Sequence, residues 1–112
     1  MSDCIFCKII AGEIPSKKVY EDKDVLAFHD INPSAEVHIL VIPKKHIASL
    51  NELEPSDEEM MGKLMLAIPK IAKENGLKGF KTLFNTGKEG GQMVFHIHAH
   101  ILGGKMSIKL PE

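Results

Sequence analysis

The chain has 112 residues, 44% of them hydrophobic and 26% charged, which fits one globular domain over 1–112 and leaves no room for a second. Fourteen Lys and Arg stand against fifteen Asp and Glu, a formal net charge of −1, too weak a field to gather a nucleic acid nonspecifically. No stretch approaches the roughly 20 apolar residues of a membrane span, and no basic-then-apolar leader opens the chain. The expectation is a cytoplasmic protein with neither nucleic acid nor membrane as partner.

The first segment, Cys4-Ile5-Phe6-Cys7-Lys8-Ile9-Ile10, reads as a short helix halted around Gly12 and Pro15. Residues 19–21 and Val25–His29 read as strands joined by the turn Asp22-Lys23-Asp24, and residues 38–42 as a third strand ended by Pro43. The longest helix is expected over residues 56–75. Ser56 and Glu59 have capping-box spacing there, and Met60, Leu64, Ala67, Ile68 and Ile71 recur at helical intervals. Gly76 is a natural stop, and Pro69 is expected to bend or divide the helix. Residues 80–84 and 94–102 then read as strands on either side of the loop from Asn85 to Gln92. Strands and helices mix without regular βαβ alternation, so the expected fold class is α+β with a mostly antiparallel sheet.

Three of the six histidines alternate in His96-Ile97-His98-Ala99-His100. In a strand, alternate residues share a face, so the three rings are expected to line one surface while Ile97, Ala99 and Ile101 point into the core. At about 3.3 Å per residue the Cα atoms of His96 and His100 lie roughly 13 Å apart, too far to ligate one metal together. A solvated or hydrogen-bonded row is the bland alternative. Covalent chemistry explains the register better: a neutral imidazole is a usable nucleophile because its ordinary pKa is near 6.5. The glycine-rich loop just before the row, ending Gly90-Gly91, offers backbone N–H groups to phosphate oxygens, so phosphorus is the natural electrophile.

These residues resemble the histidine-triad (HIT) family, and its Hint-like nucleoside phosphoramidase branch in particular. The triad stands as His96-Ile97-His98-Ala99-His100-Ile101-Leu102. Ile5 to Ile10, Leu26 to Ile31, His38 to His46 and Asn85 to Gly104 carry further likeness. The resemblance implies a five-stranded antiparallel sheet that pairs with a second copy into a ten-stranded sheet in a homodimer, through the helix after Ser56 and the strand after Phe80. It implies His98 as the nucleophile that forms a nucleotidyl-histidine intermediate, with His100 and His38 on phosphate oxygens and the backbone around His96 orienting His98. Asp30 would meet the ribose hydroxyls. Phe6, Ile9, Phe28 and Ile31 would hold a purine base, and Asn85, Gly91, Gln92 and Met93 would contact the phosphate and leaving-group side. Met93 departs from a small hydroxyl residue common there.

Cys4 and Cys7 are the only cysteines, too few for a disulfide scaffold, and their spacing is half of a tetrahedral zinc site. Buried reduced thiols and a redox pair are the alternatives. The resemblance supplies His46 and His96 as the other two ligands of a structural zinc, with no metal required for the chemistry. The function implied is hydrolysis of a purine nucleoside 5′-phosphoramidate, with an amine, a lysine or an aminoacyl group on the AMP. Its rivals are a dinucleoside polyphosphate hydrolase or nucleotidyl transferase, and a nucleotide-binding or protein-interaction module with incidental hydrolysis.

Overall fold

The computed structural model describes residues 3–106, so residues 107–112 of the C-terminal tail lie outside the description. The elements in order are α1 (Ile5–Ile10), β1 (Lys18–Glu21), β2 (Val25–His29), β3 (Ala35–Pro43), α2 (Glu58–Glu74), β4 (Lys81–Leu83) and β5 (Ala99–Met106). The five strands form one sheet in the order β1-β2-β3-β5-β4, every neighbouring pair antiparallel, as the α+β reading expects. The β1–β2 turn closes on Asp22, whose Oδ1 accepts the N–H groups of Asp24 and Val25, each at 2.8 Å.

Strand alternation sends two apolar sets to opposite faces. Val25, Ala27, Ile39, Val41, Ala99 and Ile101 meet Leu64, Ala67, Ile68, Ile71 and Ala72 of α2. On the other face Leu26, Phe28, Leu40 and Ile42 meet Phe6 and Ile9 of α1. His38 and His100 fall on this second face by the same parity, in the two strands that pair at the centre of the sheet. Burial of α2's stripe against one face thus leaves the other for the site.

Several boundaries differ from the sequence reading. The helix starts at Glu58 after a 3-10 turn over Pro55–Asp57, and its start is tied by Asp57 rather than by Ser56 and Glu59. The Asp57 carboxylate accepts the Glu54 N–H at 3.0 Å and pairs with Lys45 Nζ at 2.6 Å. Pro69 does not divide α2. It sits on the exposed face, and the carbonyl it leaves unpaired belongs to half-exposed Met65, which water can satisfy. Gly76 does end the helix, at φ 79°, with Leu77 N–H donating back to the Ala72 oxygen at 3.0 Å.

The last strand begins at Ala99, not at residue 94. The chain bends at 94–96, and the Ile97 N–H donates to the Ile47 oxygen at 2.8 Å instead of joining the ladder. Only His100 of the triad is therefore in regular sheet, and His96 and His98 lie on its lead-in.

Candidate active site and metal centre

A cavity of about 460 Å³ opens on the α1 face. Its lining combines apolar Phe6, Ile9, Phe28 and Ile31 with Asp30, His38, His98, His100, Asn85 and Gly91. Met93 stands at the rim with 88% of its surface exposed. The Phe6 and Phe28 rings meet edge-to-face at 5.6 Å, which stiffens the apolar wall. Gly91 adopts φ 86°, a left-handed backbone that favours glycine, and so keeps the loop close to the histidines.

The imidazole tautomers follow from their partners. His98 Nδ1 lies 2.8 Å from the main-chain oxygen of His96; a carbonyl only accepts, so Nδ1 carries the hydrogen and Nε2 keeps a free lone pair. The Ser34 N–H donates to His38 Nδ1 at 2.9 Å, which puts the His38 hydrogen on Nε2. From there it donates to His100 Nδ1 at 2.9 Å, leaving His100 with an Nε2–H. That nitrogen is buried and has no partner among the described residues. Asp30 Oδ2 stands 3.4 Å from His38 Nε2, while its Oδ1 accepts the Asn32 N–H at 2.8 Å.

Burial holds His38 and His100 neutral. His100 is pushed down to about 4, chiefly by desolvation and then by its neighbours His98 and His38, with Asp30 partly opposing. His38 is lowered by desolvation against the pull of Asp30. The hydrogen bond from His98 Nδ1 leaves its Nε2 bare to attack, and the neutral His100 keeps an Nε2–H that can donate to a phosphate oxygen.

Two of the three triad rings line the cavity. The third, His96, is fully buried and turns elsewhere. Its Nε2–H donates to the Pro43 oxygen at 2.8 Å, so its bare Nδ1 faces Cys4 Sγ at 3.3 Å, Cys7 Sγ at 3.6 Å and His46 Nδ1 at 3.2 Å. Cys7 Sγ and His46 Nδ1 lie 3.4 Å apart. The edge of a zinc tetrahedron with thiolate and imidazole ligands is about 3.3–3.8 Å. These separations therefore fit, and the four side chains can hold a metal ion. Burial raises the Cys7 thiol's pKa, and the neighbouring Cys4 adds to the rise. Asp30, His38 and His100 also bring ligand atoms together, but those atoms already bond one another in the histidine chain.

One expected site residue stands apart. The Gln92 side chain is buried in the loop itself: Oε1 accepts the Gly87 N–H at 2.8 Å, and Nε2 donates to Ala48 and Val94 oxygens at 2.7 and 3.0 Å. It braces the loop rather than lining the cavity. Ser34, conversely, contributes through its main chain, which its residue type could not announce. Ser16 also lines the cavity, its hydroxyl buried without a partner.

A family model described as HIT domain matches residues 11–107. The chain belongs to the HIT family. It is 57% identical over 104 residues to Protein HitA of Neisseria gonorrhoeae, covering 92% of this chain and 97% of that one. A histidine triad protein from Clostridium difficile superposes with a TM-score of 0.91 at 53% identity, covering 100% of this chain and 96% of that chain. A HIT family hydrolase from Legionella pneumophila Philadelphia 1 gives 0.90 at 47%, covering 93% and 95%. The HIT fold accounts for the five-stranded antiparallel sheet.

Proposed function

We propose that this HIT protein is a hydrolase of purine nucleoside 5′-phosphoramidates, of the Hint-like branch. The observation that carries the reading is the tautomer pair, a bare Nε2 on His98 beside an unpartnered Nε2–H on His100 in one cavity. The base occupies the Phe6–Phe28–Ile31 end, Asp30 meets the ribose hydroxyls, and the phosphate lies between His98, His100, Asn85 and Gly91. His98 Nε2 attacks phosphorus while the neutral His100 Nε2–H holds a phosphate oxygen, and the P–N bond breaks as the amine nitrogen takes a proton from solvent. Water then attacks the nucleotidyl-His98, its proton passes to solvent, and the nucleoside monophosphate leaves with the His98 ring restored to its Nδ1–H form.

The donor set of Cys4, Cys7, His46 and His96 suits zinc, with two thiolates and two imidazoles. When bound, the ion supplies a cross-link between the N-terminal turn and the triad lead-in, and the hydrolysis proceeds without a catalytic metal. Half-exposed Met65, exposed Leu66 and Phe80 form an apolar face on α2 and before the edge strand β4, the surface through which two copies pair into a homodimer.

Mass spectrometry of protein quenched during turnover of an adenosine 5′-phosphoramidate tests the chemistry. The expected result is a nucleoside monophosphate adduct on His98. A rapid-quench series with turnover but no adduct at any time rules out the covalent route.

A further inference from the structure

The metal cluster and the cavity touch at two places. His96 sends its Nδ1 to Cys4 Sγ at 3.3 Å, and the main-chain oxygen of the same residue holds Nδ1 of His98 at 2.8 Å. Phe6 stands between the two cysteines in the turn Cys4-Ile5-Phe6-Cys7. Its ring meets His98 edge-on at 5.1 Å and His96 at 5.8 Å. One residue of the cluster thus orients the candidate nucleophile from behind, and one residue of its loop abuts the same ring from the side.

We propose that ligation by Cys4, Cys7, His46 and His96 positions the nucleophile, by fixing the carbonyl that sets the His98 tautomer and the turn whose Phe6 backs its ring. The inference rests on His98 being the attacking group. Without ligation, the His96 ring is held only by its hydrogen bond to Pro43 and by packing against Phe6 and His46. The turn is held by a six-residue helix, too short to sustain itself. Both supports lie off the regular sheet, because β5 begins only at Ala99. An imidazole free to exchange tautomers presents the wrong nitrogen part of the time, and small misplacements of a reacting group cost up to about 10²-fold in rate. The four ligands are accordingly positioning residues.

The test compares the full chain loaded with zinc, the same chain stripped by chelation, and the zinc-loaded His46→Ala and His46→Cys variants. His46 is the exposed ligand, so His46→Ala keeps both cysteines and His96 in place and is the variant least able to unfold the chain. Two quantities are read at a temperature where circular dichroism shows each sample folded. They are the single-turnover rate of His98 nucleotidylation and the His98 ring tautomer by long-range proton–nitrogen NMR.

The loaded chain is expected to show one tautomer with hydrogen on Nδ1. The stripped chain and His46→Ala are expected to show exchange between tautomers and nucleotidylation slower by about tenfold or more. His46→Cys, which restores a zinc ligand, recovers both. A ligand set with a merely structural role leaves the rate and tautomer of the folded chains unchanged and moves only the melting temperature. That result overturns the proposal, as does a chain that takes up no zinc. A loaded chain that forms no adduct defeats the functional reading instead, and the tautomer measurement still decides whether the cluster controls His98.

Discussion

The main-chain oxygen of His96 lies 2.8 Å from Nδ1 of His98, so only the far nitrogen of that ring is free to attack. His98→Ala removes that atom and leaves the cavity walls in place. Phosphoramidate turnover is expected to fall by about 10⁴-fold, with the nucleoside monophosphate dissociation constant within about threefold of wild type by calorimetry. A mutant that keeps a tenth of the wild-type rate would move the chemistry to another residue.

Acid is expected to destabilise the fold through the histidine row. The unfolded chain protonates the His100 ring near pH 6.5, the folded chain only near 4. Between those values the unfolded state binds more protons. Stability is therefore fully present above the unfolded pKa and is lost as pH falls from about 6.5 toward 4, by at most about 3 kcal/mol from this residue. Urea midpoints measured from pH 7.5 to 4.5 should slope downward, and more gently in His100→Asn. Equal slopes in the two proteins would exclude His100 as the source.

Met93 carries no donor at the cavity rim, where the family resemblance calls for a hydroxyl. Met93→Ser supplies one at an 88% exposed position, where the fold has little to lose. One added hydrogen bond worth about 1 kcal/mol in the transition state raises kcat/KM about fivefold. An unchanged or lower value would mean that the loop's backbone N–H groups already satisfy the phosphate.

Removal of the metal is expected to lower the melting temperature even under conditions where the chain stays folded. Metal analysis should return one zinc per chain, with Cys7→Ser returning much less. At roughly 4 °C per kcal/mol for a domain of this size, loss of about 2–3 kcal/mol of net metal stabilisation lowers the midpoint by about 10 °C. A midpoint indifferent to chelation would leave the cluster as hydrogen-bonded side chains.

Leu66 exposes 76% of its surface on the side of α2 that faces away from the core. Leu66→Lys places a charge in the proposed interface and should halve the mass seen by sedimentation equilibrium. It should leave the circular dichroism spectrum intact, since the residue supports no intrachain core. A wild-type chain that sediments as a monomer at tens of micromolar would remove the dimer.

Local patterns carried much of this structure. The short apolar run of Val25–His29 after the Asp22-Lys23-Asp24 turn and the 3.6-residue spacing of Leu64, Ile68 and Ile71 required no partner to be read, and both elements are present. The start of α2 was misread because Glu54 and Asp57 offer the same spacing as Ser56 and Glu59, and only the Lys45 contact from a distant loop distinguishes them. The extent of β5 was misread for a related reason. Period-two histidines look the same in a ladder and in an extended lead-in, and the hydrogen bond from Ile97 to Ile47 spans fifty residues. The direction of the His96 ring was fixed by the Pro43 oxygen, a main-chain atom that no residue type advertises. Gln92 was expected at the phosphate side from the family resemblance; its bonds to Gly87, Ala48 and Val94 turn its side chain away from the cavity.

The far end of the imidazole chain is the amide of Ser34, which unlike a side-chain group has no second protonation state that the protein can reach. With that donor fixed, the His38 and His100 hydrogens both stay on Nε2 while the rings are neutral. The sequence of donors and acceptors consequently has a single resting order, read outward from the backbone to the substrate. An amide thus fixes which edge of His100 faces the cavity, with no side-chain charge needed to set it.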